Sequence, residues 1–367
     1  MSRLRLWRSL LCILTASLGG ALQAARADEV SPAASLVYVA NNRAGTVSAF
    51  HIDATTGALT RLAAVAIATD KNPYSVAVDP AGRWLYVTHG DASSIVAFSI
   101  DRMNGQLAPA PNPRTATGDY PVSAAIDPAG RFLYVSTMVA DAIDVYAINP
   151  TTAALSPVVG SPFAAGTRPS GAAIHPNGRF LYVTNLTTGS VVAFAIDRVK
   201  GALKPIPGSP FPAGTNPRAI AIEPGGRFAY VVNAVSNDVS SYRIDPRSGA
   251  LAPHPNGPVP SGENPRAAVV APSGRYLYVA ANSSDSIWAY SIDRVSGALR
   301  PLIGQPFAAG KRPRGLAIDK RGWFLYCTNY DSNSVSAYRI DPATGALSAI
   351  PGSPYGTGDG PFGIAVF

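Results

Sequence analysis

Short apolar runs recur along the chain, separated by clusters of Pro, Gly, Asn and Asp. One stretch shows the pattern. After Pro217, Ala219–Glu223 alternates small residues (Ala219, Ala221) with larger ones (Ile220, Ile222), the period of two that marks a strand with unlike faces. Pro224-Gly225-Gly226 follows, with Pro and Gly where a type I turn favours them. A second strand is predicted over Phe228–Val232, and a polar loop, Asn233–Asp238, leads to a third over Val239–Ile244. Asp245-Pro246 and Gly249 mark the next reversal. A fourth strand is short and Pro-rich, as in Pro205–Phe211, and Pro there suits an outermost strand with one edge unpaired.

This unit repeats. The tyrosines Tyr38, Tyr86, Tyr134, Tyr182, Tyr230, Tyr278 and Tyr326 stand 48 residues apart, as do Pro73, Pro121, Pro169, Pro217, Pro265, Pro313 and Pro361. Four antiparallel strands at this period predict an all-β, seven-bladed β-propeller. The first strand supports it. Ser75, Ser123, Gly171, Ala219, Ala267, Gly315 and Gly363 share one repeat position, and small side chains fit where blades crowd the axis. The chain begins with the second strand of a blade, Leu36–Ala40, and stops after a first strand, Pro361–Phe367. Pairing these two closes the ring. An open solenoid would strand Pro361–Phe367 without its partners.

Composition agrees: 34 Gly and 33 Pro leave little room for long helices, and a hydrophobic share of 47% argues against disorder. The N-terminus stands apart. Arg3, Arg5 and Arg8 precede an apolar run, Leu10–Leu22, and Ala25-Arg26-Ala27 has the small residues of a cleavage site. Residues 1–27 therefore read as a secretory signal, too short and Gly-broken for a membrane anchor, with the propeller over 28–367. The expected location is periplasmic or secreted. Cys12 follows Leu11 inside the apolar run, which does not suit a lipoprotein. Removing the signal takes four arginines and no acid, so the formal charge falls from +8 to +4. That surplus calls for no nucleic acid and no membrane insertion, and a monomer is expected. Only Cys327 remains, as a core thiol without a disulfide partner.

Candidate chemistry gathers on one face. The residues after the repeated proline are Tyr74, Val122, Ser170, Arg218, Arg266, Arg314 and Phe362. Three consecutive blades thus offer guanidinium groups, which repel one another and cannot shed their protons. An anion relieves the repulsion, and the planar forks suit carboxylate or phosphate. Strand two ends in Asn41, His89, Thr137, Asn185, Asn233, Ala281 and Asn329, with Asp91 and Asp331 shortly after, and this set is expected to meet the first near the axis. Asn185, Asn233 and Asn329 are the neighbouring polar candidates; His89 and Asp331 are the candidate bases. Arg83, Arg131, Arg179, Arg227 and Arg275 recur on the opposite face beside acids such as Asp79 and Asp127, as framework. No cofactor or metal is expected. Gly358, Gly360 and Gly363 match GxGxxG, but no helix follows; Asn329, Asp331 and Asn333 lack the glycine and closing acid of a calcium loop.

"HPNGRFLYVTN" at 175–185, "NPR" at 216–218 and 264–266, and "RIDPATGAL" at 339–347 resemble the seven-bladed lactonase family over the whole mature chain. That family includes 6-phosphogluconolactonases and carboxymuconate cycloisomerases, and its repeat is similar to the YVTN propellers of surface proteins. The resemblance implies catalytic Pro-Arg-His at the start of one strand one and Asn-Glu-Leu after strand two. Pro217, Arg218 and Asn233 match. Ala219 stands at the histidine position, Ala234 at the glutamate position, and Ser170 at that of a second histidine. The cation is kept and the proton-transfer pair is missing. Two expectations follow. One is an exported propeller binding an anionic small molecule, glycan or acidic partner segment at its arginines. The other is a lactone hydrolase with altered site chemistry, using His89 or Asp331; export argues against 6-phosphogluconolactone, a cytosolic metabolite, as its substrate.

Overall fold

A computed structural model describes residues 35–62 and 67–367; the leader read in residues 1–27 lies outside them. Every regular element among the described residues is a β-strand. They form seven antiparallel sheets, one per 48-residue repeat, arranged as the blades of a propeller. In the fifth blade the strands, from the axis outward, are Pro217–Ile222, Phe228–Asn233, Asp238–Ile244 and Leu251–Pro253.

The fourth strand differs from expectation. In six blades it is two short pieces on the same edge of the third strand. In the fourth blade Leu203–Pro205 pairs with Phe194–Ile196, and Phe211–Pro212 pairs with Ser190–Val191. The segment between them, with prolines that lack an N–H, leaves the ladder. In the second blade the strand is continuous from Leu107 to Ala116, but its register on the third strand shifts between Pro109 and Arg114.

The ring closes as the repeat implied. Val37, Tyr38 and Val39 lie opposite Val366, Ala365 and Ile364, and Leu36 and Phe367 exchange both backbone hydrogen bonds at 3.0 and 2.9 Å. The core lies between blades. Each of the seven interfaces holds one cluster joining side chains of two neighbours, as Tyr182 and Val191 meet Ile220, Val231 and Tyr242. Cys327 is buried in one of these clusters, as expected, and burial pushes its thiol well above the usual range, so it is inert.

The repeated tyrosines have a role beyond filling space. Each is fully buried and donates its hydroxyl to a turn carbonyl of the next blade: Tyr182 to Gly249 at 2.8 Å, Tyr230 to Gly297 at 3.0 Å, and Tyr326 across the closure to Gly57 at 2.9 Å. Gly297 has φ 81° and sits where a Cβ would be 2.3 Å from the Phe228 ring, so no other residue fits that turn. Near the axis, a Cβ on Gly315 would be 2.5 Å from the Phe362 carbonyl oxygen. The innermost strands approach that closely, which is why this repeat position stays small.

Candidate functional site

The geometry that builds the site is a bulge. In the fifth blade Pro217 faces Asn233 and Ala219 faces Val232, which leaves Arg218 without a ladder partner. The same shift falls after the proline in the other blades, including at Arg266 and Arg314. A bulge re-aims a side chain that regular pleating would send into the blade. Here it turns all seven post-proline residues into one cavity on the axis, of about 380 Å³. Around the ring the order is Arg218, Arg266, Arg314, then Phe362 and Tyr74, then Val122 and Ser170.

The cationic side has no counter-charge. Nine ion pairs occur among the described residues and none includes Arg218, Arg266 or Arg314. The Nε–H of all three is buried with no hydrogen-bond partner among the described residues. Such groups are uncommon in folded proteins because each gives up water without a replacement. Burial, then the charges of Arg218, Arg314 and Arg312, pushes the Arg266 pKa down to about 9. Arg218 and Arg314 move down too, again chiefly through burial. Arginine does not in practice lose its proton. The shifts have one physical meaning here: burial, and at Arg266 the neighbouring guanidiniums as well, make the bare cations unfavourable.

The opposite side is aromatic and neutral. Tyr74 and Phe362 have ring centroids 4.4 Å apart, and Tyr74 packs edge-on to Tyr120 at 5.5 Å. Burial raises the Tyr74 pKa, and the contact with Tyr120 raises it further, so the phenol stays protonated and offers no charge to the arginines. Arg314 joins the two sides, lying 4.8 Å from the Phe362 ring and 4.9 Å from Tyr330.

The second expected set does not reach this cavity. The strand-two ends are buried within the sheets and turned to the third strand. Asn233 donates to Asp238 at 2.5 Å and Ser240 at 2.9 Å; Asn329 donates to Ser334 at 3.1 Å and Ser336 at 2.9 Å. Asn185 is buried at the same position, with neither polar side-chain atom paired. These asparagines are framework, because no bulge re-aims them. His89 occupies the same place in the second blade. It is fully buried, 2.8 Å from Thr69 through Nε2, and outside the cavity lining, and burial pushes its pKa down to about 4. It is thus neither charged nor placed to act on a molecule at the axis. Asp331 sits above the rim, held by Arg43 at 3.0 Å and Arg312 at 3.4 Å. Those pairs commit its carboxylate to the loops. Neither candidate base faces the site.

On the other face Arg83, Arg131 and Arg227 pair with Asp79, Asp127 and Glu223, while Arg179 and Arg275 donate to backbone carbonyls of the next blade. That is the framework role expected of them. Among the described residues no group of three His, Cys, Asp or Glu is placed to hold a metal ion. Sequence reasoning missed Tyr120, Met138 and Tyr330. Met138 lines the cavity, and Tyr330 carries Arg43, Arg312 and Arg314 about its ring. Tyr120 precedes the repeated proline, and Met138 and Tyr330 share the repeat position of Ala234, just past strand two; what hid them is residue type, since none carries a charge that marks it as site chemistry.

Fold and cavity define a seven-bladed propeller with one axial site. The profile of the family described as "Lactonase, 7-bladed beta-propeller" matches residues 26–167 and 171–358, and the chain belongs to that family. Solved structures share the fold at low identity. A candidate 6-phosphogluconolactonase of Bacteroides fragilis superposes with a TM-score of 0.81 at 20% identity, covering 92% of this chain and 99% of its own. One from Bacteroides uniformis gives 0.78 at 18%, covering 91% and 99%. The periplasmic gluconolactonase PpgL of Pseudomonas aeruginosa gives 0.76 at 19%, covering 91% and 98%. No curated protein matches the chain.

The His89 environment makes a prediction. Its folded pKa, about 4, lies below the ordinary value of 6.5, so the unfolded chain binds the proton more tightly. Its contribution to stability is full above pH 6.5 and is lost as pH falls toward 4. His89→Asn restores the residue that four other blades carry. Melting temperatures from pH 7 to 4 should fall less steeply in the variant; parallel curves would contradict this.

Proposed function

We propose that the axial cavity binds a small organic anion, held by Arg218, Arg266 and Arg314. The observation that carries this reading is that Arg218, Arg266 and Arg314 line one cavity and none has an ion-pair partner among the described residues. A carboxylate or phosphate supplies the missing charge. Sequestered cations of one sign, with no partner from the chain itself, have no evident value to the scaffold. An acidic segment or glycan of a partner could enter only as a narrow end group, because the space is about 380 Å³.

Family membership favours a second reading, lactone hydrolysis at the same arginines. Gluconolactonase and candidate 6-phosphogluconolactonase neighbours share the fold. A guanidinium stabilises the oxyanion formed when water adds to a lactone carbonyl. No carboxylate or imidazole lines the cavity to activate that water, so this chemistry would rest on charge stabilisation. The leader read in residues 1–27 would place either activity outside the cytoplasmic membrane; a mature N-terminus other than Asp28 on sequencing of the exported protein would remove that part.

One paired experiment tests both readings on purified mature protein. A panel of carboxylates and phosphate esters is screened at low salt by calorimetry and thermal shift, and aldonolactones are followed by pH-stat. At about a hundredfold excess over Kd, a bound anion should add ~2.7 kcal/mol to stability. The gain should vanish in Arg218→Ala/Arg266→Ala. Acid release that survives His89→Ala and Asp331→Ala but not the double arginine variant would support hydrolysis; none would leave binding alone. An anion bound equally by the double variant would contradict the site.

A further inference from the structure

We infer that the cavity selects aromatic carboxylates over polyhydroxylated ones, a specificity that rests on the anion-binding reading. The three arginines account for one end of a ligand and say nothing of its body. The rest of the cavity does. Beside the cations, and continuing around the ring from Arg314, stand the rings of Phe362 and Tyr74 and the side chains of Val122 and Met138. A flat apolar body gains from such a wall by burial and by ring packing.

A polyol needs hydrogen-bonding partners for each hydroxyl, and the wall offers few. Of the three lining serines, Ser170 donates to the Arg218 carbonyl at 3.1 Å and Ser123 accepts from the Ala172 backbone at 3.3 Å, which leaves Ser75 as the one hydroxyl with no partner among the described residues. The Tyr74 hydroxyl is engaged with Tyr120 at 3.3 Å. Hydroxyls brought against Phe362, Val122 and Met138 would leave water without compensation. The size admits a small organic ligand, about 380 Å³ lying within the usual range of small-molecule pockets.

The sector order supports one orientation. Phe362 and Tyr74 follow Arg314 directly around the ring, and Arg314 lies against Phe362. A carboxylate among the guanidiniums thus puts an attached ring beside aromatic faces rather than beside solvent.

The test compares 4-hydroxycinnamate with gluconate, two monoanions of similar size, by isothermal titration at the same pH and low salt. Binding of 4-hydroxycinnamate should be at least about tenfold tighter, and Phe362→Leu or Tyr74→Leu should reduce that ratio to near one while gluconate affinity stays within about twofold. Both leucine variants keep the backbone carbonyl contacts of the strand, and their melting curves report whether they fold. Equal binding, or tighter gluconate, overturns the selectivity and leaves the anion site standing. A tenfold preference untouched by both leucine variants overturns the assignment to this wall. Failure of both probes overturns the selectivity, and binding unchanged in Arg218→Ala/Arg266→Ala overturns the anion site itself, and the selectivity with it.

Discussion

Closure of the ring is the constraint on which the site depends. Only when Pro361–Val366 pairs with Leu36–Asn41 do seven innermost strands face one axis. Only then does the residue after each proline share a space with six others. The tyrosine hydroxyls crossing every blade interface hold that arrangement at fixed spacing, since each must reach a carbonyl in the next blade. A propeller so tied is rigid at its centre, and a rigid centre can hold like charges together that a flexible loop would let drift apart.

The balance of charge distinguishes the two faces. Around the outer turns, arginine after the glycine meets an acid or a backbone carbonyl. At the axis, arginine meets other arginine. The first arrangement repeats from blade to blade and serves the scaffold; the second occupies three adjacent sectors and breaks the symmetry of the repeat. Broken symmetry in a repeat protein is informative because packing alone asks every blade for the same thing. Tyr74, Phe362, Arg218, Arg266 and Arg314 occupy equivalent positions and differ in chemistry, and the proposed function rests on those differences.

Much of this was legible in the sequence. The period, the closing strand, the small residues of the innermost strands and the position shared by the three arginines all follow from counting and from strand geometry. The bulge was not legible, because it depends on a register shift that no single residue type encodes. Without it, the ends of strand two seemed as well aimed at the axis as the post-proline residues. His89, Asn185, Asn233 and Asn329 were assigned to the site for that reason, and the pleat instead turns them into the sheets. Asp331 was in the right neighbourhood, but its fate depends on Arg43 and Arg312, one of them nearly the whole chain away in sequence. Tyr330 and Met138 share one repeat position, just past the end of strand two, and only the folded loops bring them near the cavity.

The central claim is that the three arginines stand half-buried together without a counter-charge from the described residues. The most direct measurement is the melting temperature of extensively dialysed Arg266→Leu against the parent at neutral pH. Replacing an uncompensated, half-buried charge by an apolar side chain should stabilise the protein by about 1 kcal/mol, a rise on the order of 1–2 °C for a fold of this length. A fall of similar size would mean that Arg266 is already satisfied within the fold, and the account of the cavity would be wrong.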